Sequence, residues 1–436
     1  MRRAVLAVAI LAALAAPASA WAHATLEKQF PAVNEELKQA PHRIVLAYDQ
    51  PVDAVPNAVV VLDAKGKNVA GQAKAITAQR ELVAPLHGKL PKGAYTIRWR
   101  ALSSDGHVVS GISTFGIGVP APPVTEAVGA QGPTGTEDVV RWLYFVALAL
   151  FVGAIGFRLL ILPPELPEAV ERRFYRLSLA GGVAVLEVGI LAFLLRAEDA
   201  LQLPFVDFIY GDLAPLANGT RFGQAFIAMT LGFALALALL VLGWLGLGRL
   251  PLWGAFVLGL GFASGLSLSG HSAADPGDSW LSELADWLHL SSAILWVGGL
   301  VCLFLLVWPQ KELRRDAFLR FSRLATVLVA VLLAAGTYLS ILRLPHLHDL
   351  WSSGYGHVLL IKLSLVATAL AWGGIHRQVI APRLRAGADG AGIRRSLIGE
   401  SAVAVSVLLA AAVLTDSAPP PQPLPPPPTA AAQHRR

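Results

Sequence analysis

Long apolar segments dominate the chain after residue 138 and constrain its fold more than any other feature. Each holds about 20 residues, the length that a helix needs to cross a hydrocarbon core of roughly 30 Å. Only 15% of the 436 residues are charged, against roughly 25% in soluble globular proteins. We therefore expect residues 139–416 to form a polytopic, all-α membrane domain of about eight transmembrane helices, near 139–162, 175–195, 222–247, 251–270, 287–308, 321–343, 358–381 and 398–416.

The charges between these segments predict their orientation. Basic residues follow the odd-numbered segments, as ERRFYR at 171–176, KELRRDAFLRFSR at 311–323 and several arginines at 377–395. The intervening loops at 197–220 and 272–286 are acidic or neutral. Lys and Arg favour cytoplasmic loops. We therefore expect both the N-terminal region and the C-terminus to lie on the side of the membrane opposite the cytoplasm.

Residues 1–22 have a basic start, an apolar centre and small residues at their end. That pattern predicts a secretory signal peptide. Two cleavage positions satisfy the rule of small residues, one after Ala20 and one after Ala22. Only the second makes His23 the first residue of the mature chain, whereas the first leaves Trp21 there.

Residues 23–118 consist of short β-branched and aromatic runs separated by turn residues. The spacing predicts an all-β, immunoglobulin-like sandwich of two sheets. A linker rich in Pro and Gly follows at 119–138, and residues 417–436 form a Pro-rich tail with no capacity for a packed core.

The triplet DGH contains Asp105 and His107, two residues apart. In a strand, that spacing places both side chains on one face. If His23 is the N-terminus, its α-amine and imidazole complete a nitrogen-rich donor set that favours Cu(II). The alternative is that Asp105 and Gly106 form an ordinary turn and His107 lies on the surface.

Ionisable residues within the apolar segments are further candidates, because an unpaired charge at membrane depth costs several kcal/mol. Glu187 and Lys362 lie inside predicted spans, and His271 ends the fourth. Asp286 and His289 are three residues apart, which makes them neighbours on one helix face. His271, Asp286, His289 and Glu187 are therefore candidates for a transport path, although histidines are also ordinary at membrane interfaces.

The N-terminal region resembles the CopC family of periplasmic copper-binding domains. The resemblance lies in HATLEKQFPAVNEEL, RIVLAYDQPV and LPKGAYTIRWRALSSDGHVVSGISTFGIG. It implies that Cu(II) binds to His23, Asp105 and His107, and it selects cleavage after Ala22. Some members also carry a Met-rich Cu(I) site. The chain has only two methionines, Met1 and Met229, so we expect no such site in this domain.

The remaining residues resemble the CopD family of copper-resistance membrane proteins. The matching stretches are SGHS, DWLHLSSAILWVGGL, YGHVLLIKLSLVATALAWGGIHRQVIAPRLR and GESAVAVSVLLAAAVLTDSAPP. A CopC region followed by a CopD region is similar to the fused CopCD arrangement. The resemblance implies copper movement across the bacterial inner membrane, generally inward, and it assigns no membrane ligands.

We therefore expect a non-enzymatic copper homeostasis protein of the bacterial inner membrane. Its partners would be copper ions, the lipid bilayer and periplasmic copper carriers, with no nucleic acid. Cu(II) would bind outside, and the membrane path would allow Cu(I). Three alternatives stay open: a haem-binding oxidoreductase using His271, His289 or His376, a copper-dependent mono-oxygenase, and a copper chaperone for a cuproenzyme.

Overall fold

The computed structural model describes residues 24, 26–88, 90–103, 108–121, 135–201, 221–268, 279–344, 346–387 and 391–417. The predicted signal peptide, most of the linker and nearly all of the Pro-rich tail lie outside the described residues, so those predictions stay predictions.

The N-terminal domain is a sandwich of two β-sheets. One sheet has four strands in the order β1-β3-β7-β6, and the other has five, with β2-β9-β8-β4 in order and β5 also paired with β8. The strands are β1 (Leu26–Phe30), β2 (Glu35–Leu37), β3 (Arg43–Tyr48), β4 (Val52–Asp53), β5 (Val59–Leu62), β6 (Lys74–Ile76), β7 (Glu81–Pro85), β8 (Gly93–Ser103) and β9 (Val108–Ile117).

Alternating apolar residues fill the space between the sheets. In β3, Ile44 and Leu46 are fully buried while Val45 between them is only partly buried, as the period of two along a strand requires. The rings of Tyr95 on β8 and Phe115 on β9 stack with their centroids 5.1 Å apart. The predicted all-β sandwich is therefore confirmed.

The rest of the described chain is helical. The helices are α1 (Gly135–Leu160), α2 (Glu168–Leu201), α3 (Arg221–Trp244), α4 (Leu250–Leu268), α5 (Trp280–Val307), α6 (Lys311–Arg343), α7 (Gly354–Arg385) and α8 (Arg394–Asp416). Seven of them are long and apolar enough to cross a membrane, and α4 contains a shorter apolar helix, Leu250–Leu266. The prediction of about eight membrane helices is confirmed to that extent.

Glycines allow close packing of the central helices. A Cβ on Gly153 of α1 would lie 2.3 Å from the carbonyl oxygen of Ile294, and one on Gly298 of α5 would lie 2.2 Å from that of Ala149. Because no other residue fits such a backbone contact, α1 and α5 cross at this pair. On α4, a Cβ on Gly265 would lie 2.5 Å from Met229 of α3.

The sandwich rests on the ends of two membrane helices. Phe193 of α2 belongs to the same buried apolar cluster as the sandwich core, and Leu194 and Phe226 pack against that cluster. The rings of Phe193 and Phe226 stack 4.2 Å apart. The sandwich therefore covers the end of the bundle where α2 ends and α3 begins, which we call the head side.

Candidate functional site

In the sandwich, a hydrogen bond joins the start of the described chain to the end of β8. The Ala24 amide donates to Oγ of Ser103 over 3.3 Å, across 79 residues of sequence, and both residues are buried. Ala24 directly follows His23, and Ser103 directly precedes the connection 104–107 between β8 and β9. His23, Asp105 and His107 themselves lie outside the described residues, so their coordination stays a prediction.

Tyr48 lies close to the same end of the sandwich, because it pairs with Leu26 across β1 and β3. Its ring meets that of Trp99 edge-on, with the centroids 5.9 Å apart. Burial raises the pKa of the Tyr48 phenol well above its ordinary value.

The membrane domain contains a largely apolar cavity of about 200 Å³, lined also by several charged and polar side chains, which we call the middle cavity. Asp286 and His289 of α5 both line it, together with Arg343, Tyr355 and Lys362. The predicted neighbours on α5 thus face one space. Arg343, which sequence reasoning did not select, forms a side-chain hydrogen bond with Tyr355.

His289 has a defined orientation in this cavity. Its Nδ1 lies 3.0 Å from the carbonyl oxygen of Leu332 on α6. A carbonyl only accepts hydrogen bonds, so Nδ1 carries a proton, and in the neutral imidazole Nε2 then keeps its lone pair, the form in which imidazole binds metals. Gly336 makes room for the ring, because a Cβ there would lie 2.8 Å from Cε1 of His289.

The charges around His289 have both signs. Asp286 contributes a carboxylate, whereas Arg343 and Lys362 contribute cations. Among the described residues, no group of three or more His, Cys, Asp or Glu side chains is placed to hold a metal ion.

Of the two other predicted path residues, the structure describes only Glu187. Glu187 is exposed on α2 and does not line the middle cavity. His271 lies outside the described residues. Cys302 is fully buried within the apolar core, where it packs as a small hydrophobe.

Further cavities adjoin the middle one, and one of them, of about 430 Å³, shares His289 and Lys362 with it. The head-side cavity, of about 110 Å³, lies between Phe193, Phe226 and Met229, and it shares Arg141 and Leu266 with the middle cavity. The far-side cavity, of about 190 Å³, shares Trp296, Val329 and Leu370 with the middle cavity. The head-side and middle cavities lie side by side in the head-side half of the bundle, because residues near the head-side ends of the helices line both. The far-side cavity follows the middle cavity toward the opposite end.

The far-side cavity contains a buried ion pair that sequence reasoning missed. Nδ1 of His376 lies 2.8 Å from Oε2 of Glu400, and both side chains line the cavity. The two residues are on α7 and α8, and nothing in the sequence pairs them. Because His376 and His289 line different cavities, they are not placed as two axial ligands of one haem.

Family models match most of the chain. Residues 26–118 match the CopC domain, residues 138–281 match the copper resistance protein D-like N-terminal domain, and residues 315–414 match copper resistance protein D.

Relatives and solved structures are similar to the chain over different lengths. The copper transport protein CutJ of Bacillus subtilis (strain 168) is 31% identical over 418 residues, which cover 90% of this chain and 74% of CutJ. Protein YobA of Escherichia coli (strain K12) is 33% identical over 117 residues, 26% of this chain and 91% of YobA. CopC from Methylosinus trichosporium OB3b is 29% identical with a TM-score of 0.20, covering 24% of this chain and 98% of that one.

These matches cover the sandwich and the membrane domain in one order along the chain, and the similarity to CutJ spans both. The chain therefore belongs to the family of fused CopC–CopD copper transport and resistance proteins.

Proposed function

We propose that the protein captures Cu(II) outside the bacterial inner membrane and moves copper inward through its membrane domain. The observation that carries the proposal is the succession of the middle and far-side cavities along the bundle, which share Trp296, Val329 and Leu370 at their boundary. A stepwise path through the bundle needs such a series.

The sandwich is the proposed capture site. The hydrogen bond between Ala24 and Ser103 supports it, because Ala24 directly follows His23 in sequence and Ser103 is the last residue of β8. The α-amine and imidazole of His23 would bind Cu(II) with Asp105 and His107. Copper ions, and the periplasmic carriers that bring them, are the proposed partners.

His289 is the proposed acceptor in the membrane domain. Its side chain lines the middle cavity, and a neutral imidazole nitrogen binds both Cu(II) and Cu(I). Reduction to Cu(I) takes one electron per ion from a reductant outside the chain. We propose transport rather than catalysis, with the sandwich and the C-terminus on the periplasmic side, as the basic loops favour.

Copper accumulation in cells that lack their own copper uptake tests this function. We expect cells expressing the wild type to accumulate copper, and His23→Ala and His289→Ala to lower accumulation towards that of cells without the protein. His42→Ala is the matched control, because His42 is an exposed histidine of the sandwich. Equal accumulation with wild type, all variants and no protein would contradict the proposal.

A further inference from the structure

The far-side cavity lies between four helices that supply few charged groups. Its lining residues on α5 are apolar, and those on α6 are apolar or carry a hydroxyl. The charged or titratable lining groups among the described residues are His376 and Arg377 on α7 and Glu400 on α8. The Arg377 guanidinium donates a hydrogen bond to Oγ1 of Thr326 on α6.

The His376–Glu400 pair is almost fully enclosed. His376 is 5% exposed and Glu400 is 3% exposed. Burying an imidazole and a carboxylate costs free energy, because both groups lose their hydration. Their mutual attraction offsets this loss only when the geometry is good. In membrane proteins, pairs of this kind often belong to proton relays. His376 also begins the π-helical turn His376–Ile380, an irregularity that is frequent at functional sites.

A hydroxyl group completes this arrangement. Nε2 of His376 lies 2.8 Å from Oγ of Ser396, and Nε1 of Trp372 donates to the same oxygen over 2.8 Å. When the imidazole is neutral with its proton on Nδ1, the Ser396 hydroxyl donates to Nε2, and Nδ1 lies 2.8 Å from Oε2 of Glu400. When the ring is protonated, Nε2–H donates to the same oxygen, which has two lone pairs. Both protonation states are therefore hydrogen-bonded without movement of the backbone.

The donor set favours a proton over a metal ion. It offers one imidazole whose two nitrogens are already engaged, and one carboxylate. No third His, Cys, Asp or Glu joins them among the residues that the structure describes. Copper sites usually need more nitrogen or sulfur donors, whereas a proton needs only the pair.

The pair also lies on the far side of an apolar barrier from His289. Trp296, Val329 and Leu370 separate the two cavities. Along α7, His376 follows Lys362 of the middle cavity by 14 residues, a rise of about 21 Å at 1.5 Å per residue. A group at this depth can exchange protons with one aqueous side while copper occupies the other cavity.

We propose that the His376–Glu400 pair is a proton-binding site whose loading is coupled to copper movement, an inference that rests on the proposed function. In one half of the cycle a proton from water binds to Nε2 of His376, giving an imidazolium beside the Glu400 carboxylate. In the other half Nε2 releases that proton to water. No electron is transferred in this step.

The test uses the full-length protein in sealed lipid vesicles that contain a pH-sensitive dye. Copper with ascorbate is added outside, and copper and pH in the lumen are followed together. We expect wild type to change the lumenal pH as copper enters, and Glu400→Gln to lose this coupled change. Glu312→Gln, the same substitution at an exposed position of α6, should behave as wild type.

Two further variants separate a proton site from a purely structural pair. Ser396→Ala removes the acceptor that the imidazolium needs, so the pH at which coupling is half-maximal should fall, and Ser396→Thr should restore it. Copper entry in wild type without any lumenal pH change would overturn the proton site alone, as would an unaltered pH profile in Glu400→Gln. An absence of copper in the wild-type lumen would overturn the proposed function and the proton site together.

Discussion

Ala24 and Ser103 are 79 residues apart in sequence, yet the amide of one donates to the hydroxyl of the other within the buried end of the sandwich. This hydrogen bond brings the residue after His23 to the residue before the 104–107 connection. In the proposed copper site, His23 directly precedes one end of this hydrogen bond, and Asp105 and His107 follow the other end by two and four residues. The proposed copper site should be sensitive to it.

Ser103→Ala should weaken Cu(II) binding to the purified full-length protein. One buried hydrogen bond contributes about 0.5–1.5 kcal/mol, so we expect an affinity lower by roughly two- to tenfold, measured by competition with a Cu(II) chelator. Ser113→Ala is the control, since Ser113 is a buried serine of the same sheet whose hydroxyl has no hydrogen-bond partner among the described residues. Equal affinities for both variants would argue against the tether.

The mature protein should begin at His23. N-terminal sequencing of protein from membranes is expected to return His-Ala-Thr, because cleavage after Ala22 is what turns the amide nitrogen of His23 into an amine donor. An N-terminus at Trp21 would remove the amine from the Cu(II) site and would leave only side-chain ligands.

Gly336→Ala should lower copper uptake while keeping His289 in the protein. The new Cβ would lie 2.8 Å from the imidazole, so the ring must move and its hydrogen bond to Leu332 must lengthen. Initial rates of copper uptake in cells check this prediction. Gly261→Ala is the control, because Gly261 is a helical glycine with open space around its Cβ position; an equal loss in both would indicate a general effect on the bundle.

Removing the positive charge of Lys362 should strengthen the binding of a copper cation in the middle cavity. We expect Lys362→Leu to lower the copper concentration for half-maximal uptake by about tenfold, a change of about 1.4 kcal/mol. Leucine has no sulfur atom, so this substitution removes the ammonium group without adding a copper ligand. Lys311→Leu, at an exposed position of α6, should leave that concentration unchanged, and a higher value in Lys362→Leu would mean that the ammonium assists binding.

The fold was largely predictable because its signals are local. Apolar segments of membrane length and strands with alternating apolar residues can each be recognised within about 20 residues of sequence. The neighbouring positions of Asp286 and His289 on α5 were equally local, since three residues on a helix bring side chains to one face. Both residues line the middle cavity.

The remaining site features were not predictable because they join distant helices. Glu400 pairs with His376 of another helix, and Gly336 matters only because His289 packs against it. Glu187 shows the converse limit. A carboxylate within an apolar segment was a reasonable candidate, because burying an unpaired charge in a membrane costs free energy. In the structure, however, Glu187 lies on a face of α2 that does not pack against the other helices, so its side chain is exposed.

Copper movement by the protein alone is the central claim, and sealed vesicles containing only the purified full-length chain test it most directly. Copper is added outside with ascorbate, and lumenal copper is measured over time. The account predicts saturable accumulation that His289→Ala largely abolishes. Lumenal copper no higher than in protein-free vesicles would contradict it.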